Sequence, residues 1–126
     1  MLTYKLTHNM RRTVIFHKTL EGRRPVREFL DSLDGKIAQK IVWVLNLLED
    51  LDNIPSLYFK KLTGSDGIWE CRIKYGSNIY RVFCFMQGNS SVVLTHGFIK
   101  KTQKTPASEI EMAEKYKYDF IKRSHK

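Results

Sequence analysis

The chain has 126 residues, of which 42% are hydrophobic, and its 22 Lys and Arg against 13 Asp and Glu give a formal net charge of +9. This size and hydrophobic content predict one domain with its own core, which argues against a disordered chain or a disulfide-stapled one. The positive excess favours a polyanionic partner, which is a nucleic acid, an anionic membrane surface or an acidic protein. Because neither a signal peptide nor a membrane-spanning stretch is evident, we expect a cytoplasmic protein.

The N-terminal half predicts one strand followed by two helices. Residues 1–11 are polar and weakly patterned, which indicates a loose extension in which Met10 offers an alternative start. The β-branched and aromatic run Thr13–His17 is typical of a strand. A helical repeat of apolar residues over Pro25–Leu33, and another over Lys36–Leu51, predict two helices. Their short connection predicts an α-hairpin.

The C-terminal half predicts a β-meander and a last helix. Four strands are expected at Leu57–Leu62, Ile68–Tyr75, Ile79–Met86 and Ser91–Phe98. The short, turn-forming segments between them make neighbouring strands antiparallel. Thr105-Pro106 then opens a helix. The predicted fold class is therefore α+β, with a helical hairpin and a C-terminal helix on a curved antiparallel β-meander.

The hairpin registers predict a row of basic side chains. If Gly76-Ser77 is a two-residue turn, Arg72 lies opposite Arg81 on the neighbouring strand. Like charges directly opposite each other destabilise a strand pair, so such an arrangement suggests a function. If Gln87 pairs with Ser90, or Met86 with Ser91, in the next hairpin, His96 lies opposite Arg81. Arg72, Arg81 and His96 would then lie side by side on one face of the sheet.

This row suits a phosphodiester as its ligand. The guanidinium group donates hydrogen bonds in a geometry that matches phosphate oxygens, and histidine can transfer a proton near neutral pH. RNA can be cleaved without a metal because its own 2′-hydroxyl attacks the phosphate. Further lysines extend the positive surface and are predicted to bind RNA: Lys60, Lys61, Lys74, Lys100, Lys101 and Lys104.

Structural roles remain open for the same residues. Arg72 could pair with Glu70 or with an acid on a helix, His96 could be a core histidine, and the lysines could form a solvated loop end. Cys71 and Cys84 lie in apolar strands and are predicted to be core residues. Since neither has a second Cys or His at ligand spacing, we expect no metal and no cofactor.

Five segments in order resemble the RelE/ParE toxin superfamily. They are Leu62, Gly67–Arg72, Tyr80–Val82, His96–Thr102 and, at the start, Pro25–Leu30. The Phe-x-Lys-Lys sequence before a proline-led helix looks like the HigB-like, phage-derived branch of that superfamily. The resemblance extends over residues 13–121, which is nearly the whole chain.

The resemblance implies a compact fold of the microbial-RNase type and a toxin that cleaves mRNA, typically on the ribosome, without a metal. It also implies neutralisation by a cognate antitoxin, often a helix-turn-helix protein, so that DNA is contacted only through that partner. Arg81 corresponds to an arginine that contacts the scissile phosphate, and Arg72 to a basic residue of the same cleft. Lys101 corresponds to a basic residue that stabilises the transition state. The groove between the helical hairpin and the sheet is a candidate antitoxin seat.

The sequence also departs from this pattern. Several relatives carry a basic residue where Glu70 stands, so Glu70 either acts as general base or tethers Arg72. Relatives often have a catalytic Tyr or His near the C-terminus, whereas Tyr116 and Tyr118 fall within the last helix and are not assigned that role. His96 is the other candidate for proton transfer. The alternatives to an mRNA-cleaving toxin are a ParE-like inhibitor of DNA gyrase, an RNA-binding module and an inactive toxin-like protein.

Overall fold

The computed structural model of the chain describes residues 12–101 and 105–124. Residues 1–11, including Met10, lie outside this part, and so does Lys104. The fold is α+β, as the sequence predicted. Its elements are β1 (Thr13–Phe16), α1 (Pro25–Asp31), α2 (Gly35–Asp50), β2 (Phe59–Lys61), β3 (Ile68–Tyr75), β4 (Asn78–Gln87), β5 (Ser91–Lys100) and α3 (Ala107–Ser124).

The strands form one mixed sheet in the order β1-β5-β4-β3-β2. β2 to β5 make the predicted antiparallel meander. The first strand corrects the expectation of a purely antiparallel sheet, because β1 pairs with β5 in parallel over Thr13–Phe16 and Ser91–Leu94. The physical reason is that β1 and β5 are joined through the whole intervening chain, so no tight turn forces them to run in opposite directions.

The two faces of the sheet carry separate hydrophobic cores. On one face, α1 and α2 pack on side chains that include Cys71, Ile73 and Val82. On the other face, α3 packs through Ala113 on side chains that include Phe83. Successive residues of a strand point to opposite faces, so the alternation along β3 and β4 decides which side chains lie on the α3 side.

The helical hairpin packs directly on its face of the sheet. The groove expected there as an antitoxin seat is filled by core side chains, among them Val26, Leu30 and Val44 from the hairpin. The contact is close at Gly97 of β5, where an added Cβ atom would lie 2.4 Å from a ring carbon of Phe29. On this face, core side chains therefore occupy the space between hairpin and sheet where such a partner was predicted to bind.

Local signals in the sequence define the turns that matter for the site. Gly76 has a φ of 61°, a conformation that L side chains rarely adopt, and it forms the predicted two-residue turn between β3 and β4. The side chain of Asp34 accepts a hydrogen bond from the Lys36 backbone N–H at 3.0 Å, and this cap begins α2.

Within residues 12–101 and 105–124, no helix is long and apolar enough to cross a membrane.

Candidate active site

A basic cleft lies on the part of the sheet that α3 leaves uncovered. It has a volume of about 640 Å³ and opens on the α3 side of β2 to β5. Five cations and one carboxylate line it, together with two apolar residues and two hydroxyl residues. They are Lys60, Arg72, Arg81, Lys100, Lys101, Glu70, Leu62, Ile79, Ser77 and Thr105.

The predicted pairing of the two arginines is confirmed. Arg72 on β3 lies opposite Arg81 on β4, and the register continues to Tyr75 opposite Asn78 at the turn. Arg81 is 4% exposed, whereas Arg72 is half-buried. Two guanidinium groups at the floor of one cleft repel each other unless an anion lies between or beside them.

Glu70 supplies that anion from within the protein. Its side chain is fully buried, and its Oε2 atom forms an ion pair and hydrogen bond with Arg81 Nη1. The sequence had suggested Arg72 as the residue that Glu70 tethers, and the structure corrects this to Arg81. Because Glu70 lies opposite Phe83, it reaches Arg81 diagonally rather than Arg72 along its own strand.

The buried pair is incompletely satisfied within the described residues. Glu70 Oε1 and Arg81 Nε are both buried and have no hydrogen-bond partner in the part of the chain that the structure describes. A buried polar group without a partner costs about 1–3 kcal/mol, so such groups at the floor of a cleft favour a ligand that supplies the missing partners. The free acceptor and the free donor lie in the same ion pair, which suits a ligand that offers a hydroxyl beside an anionic oxygen.

The predicted position of His96 opposite Arg81 is wrong. Phe98 lies opposite Arg81, and His96 lies opposite Phe83. Two steps of one residue each add up to the shift: the β4–β5 turn pairs Gln87 rather than Met86 with Ser91, and a bulge follows between Phe83 and Cys84. A shift of two residues preserves the face of the sheet but moves the side chain by about 7 Å along the strand.

His96 therefore lies outside the basic cleft. It lines a second cavity of about 450 Å³ between α1, β5 and α3, and its Nε2 atom is 3.0 Å from Glu109 Oε1. Its ring packs near Phe83, Phe98 and Tyr116. Burial lowers the pKa of His96 from its usual value, and the neighbouring Glu109 carboxylate opposes that shift. This surrounding is typical of a core histidine that holds a helix to a sheet.

The remaining predicted lysines divide between the cleft and other surfaces. Lys60 lies opposite Glu70 and lines the cleft, whereas Lys61 lies opposite Trp69 and belongs to the other face of β2. Lys74 is exposed at the open end of the cleft face but does not line the cleft. Lys101 lines the cleft and is exposed.

Lys100 is the last residue of β5 and projects into the cleft. Its Nζ atom donates a hydrogen bond to Thr105 Oγ1 at 3.4 Å. Loss of surrounding water lowers the pKa of Lys100, and the positive charge of Arg81 lowers it further, while Glu70 opposes the shift. Sequence reasoning did not identify Thr105 or Ser77 as cleft residues. Ser77 lies in the predicted turn beside the arginine pair, and this proximity was the available signal.

One comparison with known protein families matches most of the chain. Residues 28–117 match the family described as phage derived protein Gp49-like (DUF891). The chain belongs to this family. The Gp49-like family is part of the RelE toxin-like superfamily, which agrees with the resemblance seen in the sequence. The matched segment contains β2 to β5 and every cation of the cleft. No curated protein matches the chain.

Within residues 12–101 and 105–124, no three His, Cys, Asp or Glu side chains are grouped as a metal site. The anionic ligand that the cleft favours would instead be held by the nitrogen donors of Arg72, Arg81 and the lysines.

Proposed function

We propose that this Gp49-like protein is the toxin of a type II toxin–antitoxin system and that it cleaves mRNA in the cytoplasm, with the translating ribosome presenting the substrate. The observation that carries the proposal is the buried Glu70–Arg81 pair beside Arg72, at the floor of a basic cleft. Membership in a RelE toxin-like family supports the same activity. Within that superfamily, the Phe-x-Lys-Lys sequence favours the HigB-like branch.

The cleft has the groups that cleavage through the 2′-hydroxyl needs. Arg72 and Arg81 bind the non-bridging oxygens of the scissile phosphate and stabilise the extra negative charge of the transition state. Glu70 Oε1, which has no partner in the described part of the chain, accepts the proton of the attacking 2′-hydroxyl. The products are a 2′,3′-cyclic phosphate and a free 5′-hydroxyl. The RNA itself supplies the nucleophile, so the mechanism uses no metal-bound water.

Lys60 and Lys101, which line the cleft beside the arginine pair, hold the flanking phosphates. Lys60 lies at the β2 side of the cleft and Lys100 and Lys101 at the β5 side. A single strand can therefore cross the sheet with one phosphate at the arginines and its neighbours at the lysines. Positive residues on both sides of the scissile phosphate fix its position without reading bases.

The decisive experiment expresses the protein alone in bacteria and compares it with an Arg72→Ala variant. Arg72 is the better choice than Arg81 because it is half-buried and makes no ion pair within the described residues, so its loss leaves the fold intact. We expect growth arrest with mRNA cut inside reading frames, and loss of both in the variant. Arrest with intact mRNA would contradict RNA cleavage and favour inhibition of gyrase. No arrest by the folded protein would contradict a toxin.

The proposed partner is a small antitoxin protein, expected to be of the helix-turn-helix class, through which any contact with DNA would be made. A toxin that acts on cellular mRNA needs such an inhibitor in the cell that makes it. Co-expression with the product of the adjacent gene should restore growth and give a complex that purifies together. Failure of both would contradict this partner while leaving the cleavage assay unaffected.

A further inference from the structure

The charged residues of the cleft lie in three successive rows across the sheet. The first row pairs Lys60 with Glu70, and the second pairs Arg72 with Arg81. The third row contains Ile79 of β4 and, opposite it, Lys100 of β5. Rows follow each other at two-residue intervals, about 7 Å along the strands. The backbone positions of Glu70 and Lys100 therefore lie on opposite sides of the arginine row.

This order matches the geometry of an in-line displacement at phosphorus. In such a reaction the entering oxygen and the leaving oxygen lie on opposite sides of the phosphate, with the transition-state charge on the oxygens between them. A phosphate held on Arg72 and Arg81 would have Glu70 reaching it from one side of the arginine row and Lys100 from the other, since both residues line the cleft. The proton acceptor and a proton donor are thus separated as the reaction requires.

Lys100 also differs from the other lysines of the cleft in its surroundings. Its amine is held by the Thr105 hydroxyl, and within the described residues it forms no salt bridge. The neighbouring charges that act on it are Arg81, Arg72 and Lys60, which are positive, and Glu70, which is already paired. The pKa of Lys100 is lowered by loss of water and by Arg81, which makes the ammonium a better acid near neutral pH.

We propose that Lys100 is a catalytic residue that protonates the leaving 5′-oxygen, and that Thr105 is a positioning residue that holds its ammonium group. The inference rests on the proposed RNA cleavage. The 2′-oxygen forms a bond to phosphorus as its proton passes to Glu70, and the bond from phosphorus to the 5′-oxygen breaks. The electron pair stays on the 5′-oxygen, which takes a proton from Lys100 Nζ. The neutral amine regains a proton from water, and Glu70 returns its own.

The test uses a substrate whose leaving group needs no proton. A synthetic mRNA is made with one 5′-bridging sulfur in place of oxygen at the mapped cleavage position, because a thiolate leaves without protonation. Single-turnover rates are measured on the native and the sulfur mRNA, presented in the same way, for wild type, Lys100→Met and Lys100→Arg. Arginine keeps the positive charge but is a very weak acid. Lys101→Met is the matched control at the next residue.

We expect both Lys100 variants to cleave the native mRNA about 100-fold to 10,000-fold more slowly than wild type, the range for loss of a general acid or base. On the sulfur mRNA they should recover to within about 10-fold of wild type, while Lys101→Met should be slowed equally on both substrates. Thr105→Val should also slow the cleavage of native mRNA, and the 5′-bridging sulfur should restore its cleavage rate in the same way. A melting measurement on each variant verifies that it is folded.

Two other outcomes separate the hypotheses. If Lys100→Met and Lys100→Arg are equally slow on both substrates, or as fast as wild type on native mRNA, Lys100 is not the proton donor and this inference is overturned. If wild type cleaves neither mRNA, on the ribosome or free, then the proposed function itself is refuted.

Discussion

Breaking the buried ion pair between Glu70 and Arg81 should strongly destabilise this face of the sheet. The Glu70 side chain is 0% exposed and that of Arg81 is 5% exposed. Removal of one partner from a buried pair leaves an uncompensated charge and costs about 3–5 kcal/mol. We therefore expect Glu70→Leu and Arg81→Met each to lower the free energy of unfolding by that amount, out of a total of about 5–15 kcal/mol for a domain.

The double variant tests the reasoning. Glu70→Leu with Arg81→Met removes both charges and fills the site with side chains of similar volume, an exchange that is often neutral for a buried pair. Its loss should be smaller than the sum of the single losses by at least about 2 kcal/mol, well beyond the additivity error of about 0.5 kcal/mol for independent sites. The assay is urea unfolding at pH 7, with the dependence on urea compared among variants.

Activity should behave differently from stability in the same set. The double variant is expected to be folded but unable to cleave mRNA, because both the phosphate donor and the proton acceptor are lost. Losses that simply add in the double variant would show that the two charges do not stabilise each other, and the structural reading of the cleft floor would be refuted. A stable and active double variant would contradict the catalytic roles instead.

Three further predictions concern the packing at Gly97, two buried histidines and the lysines of β2. Gly97→Ala places a Cβ atom 2.4 Å from Phe29, so it should cost about 1–3 kcal/mol in urea unfolding, and Phe29→Leu in the same chain should recover most of the loss. Burial lowers the pKa values of His17 and His96, so the unfolded chain binds protons more readily than the folded one. The free energy of unfolding, measured in urea, should therefore be highest above about pH 6.5 and fall as the pH decreases. This fall should be less steep in the His96→Gln variant. Lys60→Ala should reduce by about 0.7 the slope of log binding constant against log salt concentration for RNA binding. Lys61→Ala should leave this slope unchanged, because Lys61 lies on the other face of the sheet.

The sequence predicted one hairpin register correctly and the next incorrectly, for a physical reason. Gly76 and Ser77 form a two-residue turn, which fixes the pairing of Arg72 with Arg81. The β4–β5 pairing depends on a longer turn and on a bulge between Phe83 and Cys84. Residue types in this segment are ordinary strand formers, so nothing in the sequence marks the inserted residue. The position of His96 depends on this inserted residue, so it could not be predicted from the sequence.

Contacts between residues that are far apart in the chain could also not be predicted from the sequence. The parallel pairing of β1 with β5 has no local signal, because the two strands are separated by almost the whole domain. The partner of Glu70 is another case, since a diagonal contact to Arg81 and a same-strand contact to Arg72 are equally compatible with the alternation along β3. Lys60 and Lys61 are adjacent strand residues and so point to opposite faces, but which of them faces the cleft depends on the β2–β3 register, which the sequence left open.

The way α3 covers its face explains why the cleft is so positive. Where the helix packs on the sheet, the side chains beneath it are apolar, such as Phe83 and Phe85. Beyond the helix start at Ala107, five cations and one buried carboxylate line the cleft on the same face. Their mutual repulsion opposes folding, and Glu70 can offset only the charge of Arg81. A ligand with several closely spaced negative charges would relieve the rest, and a polynucleotide backbone has that charge distribution.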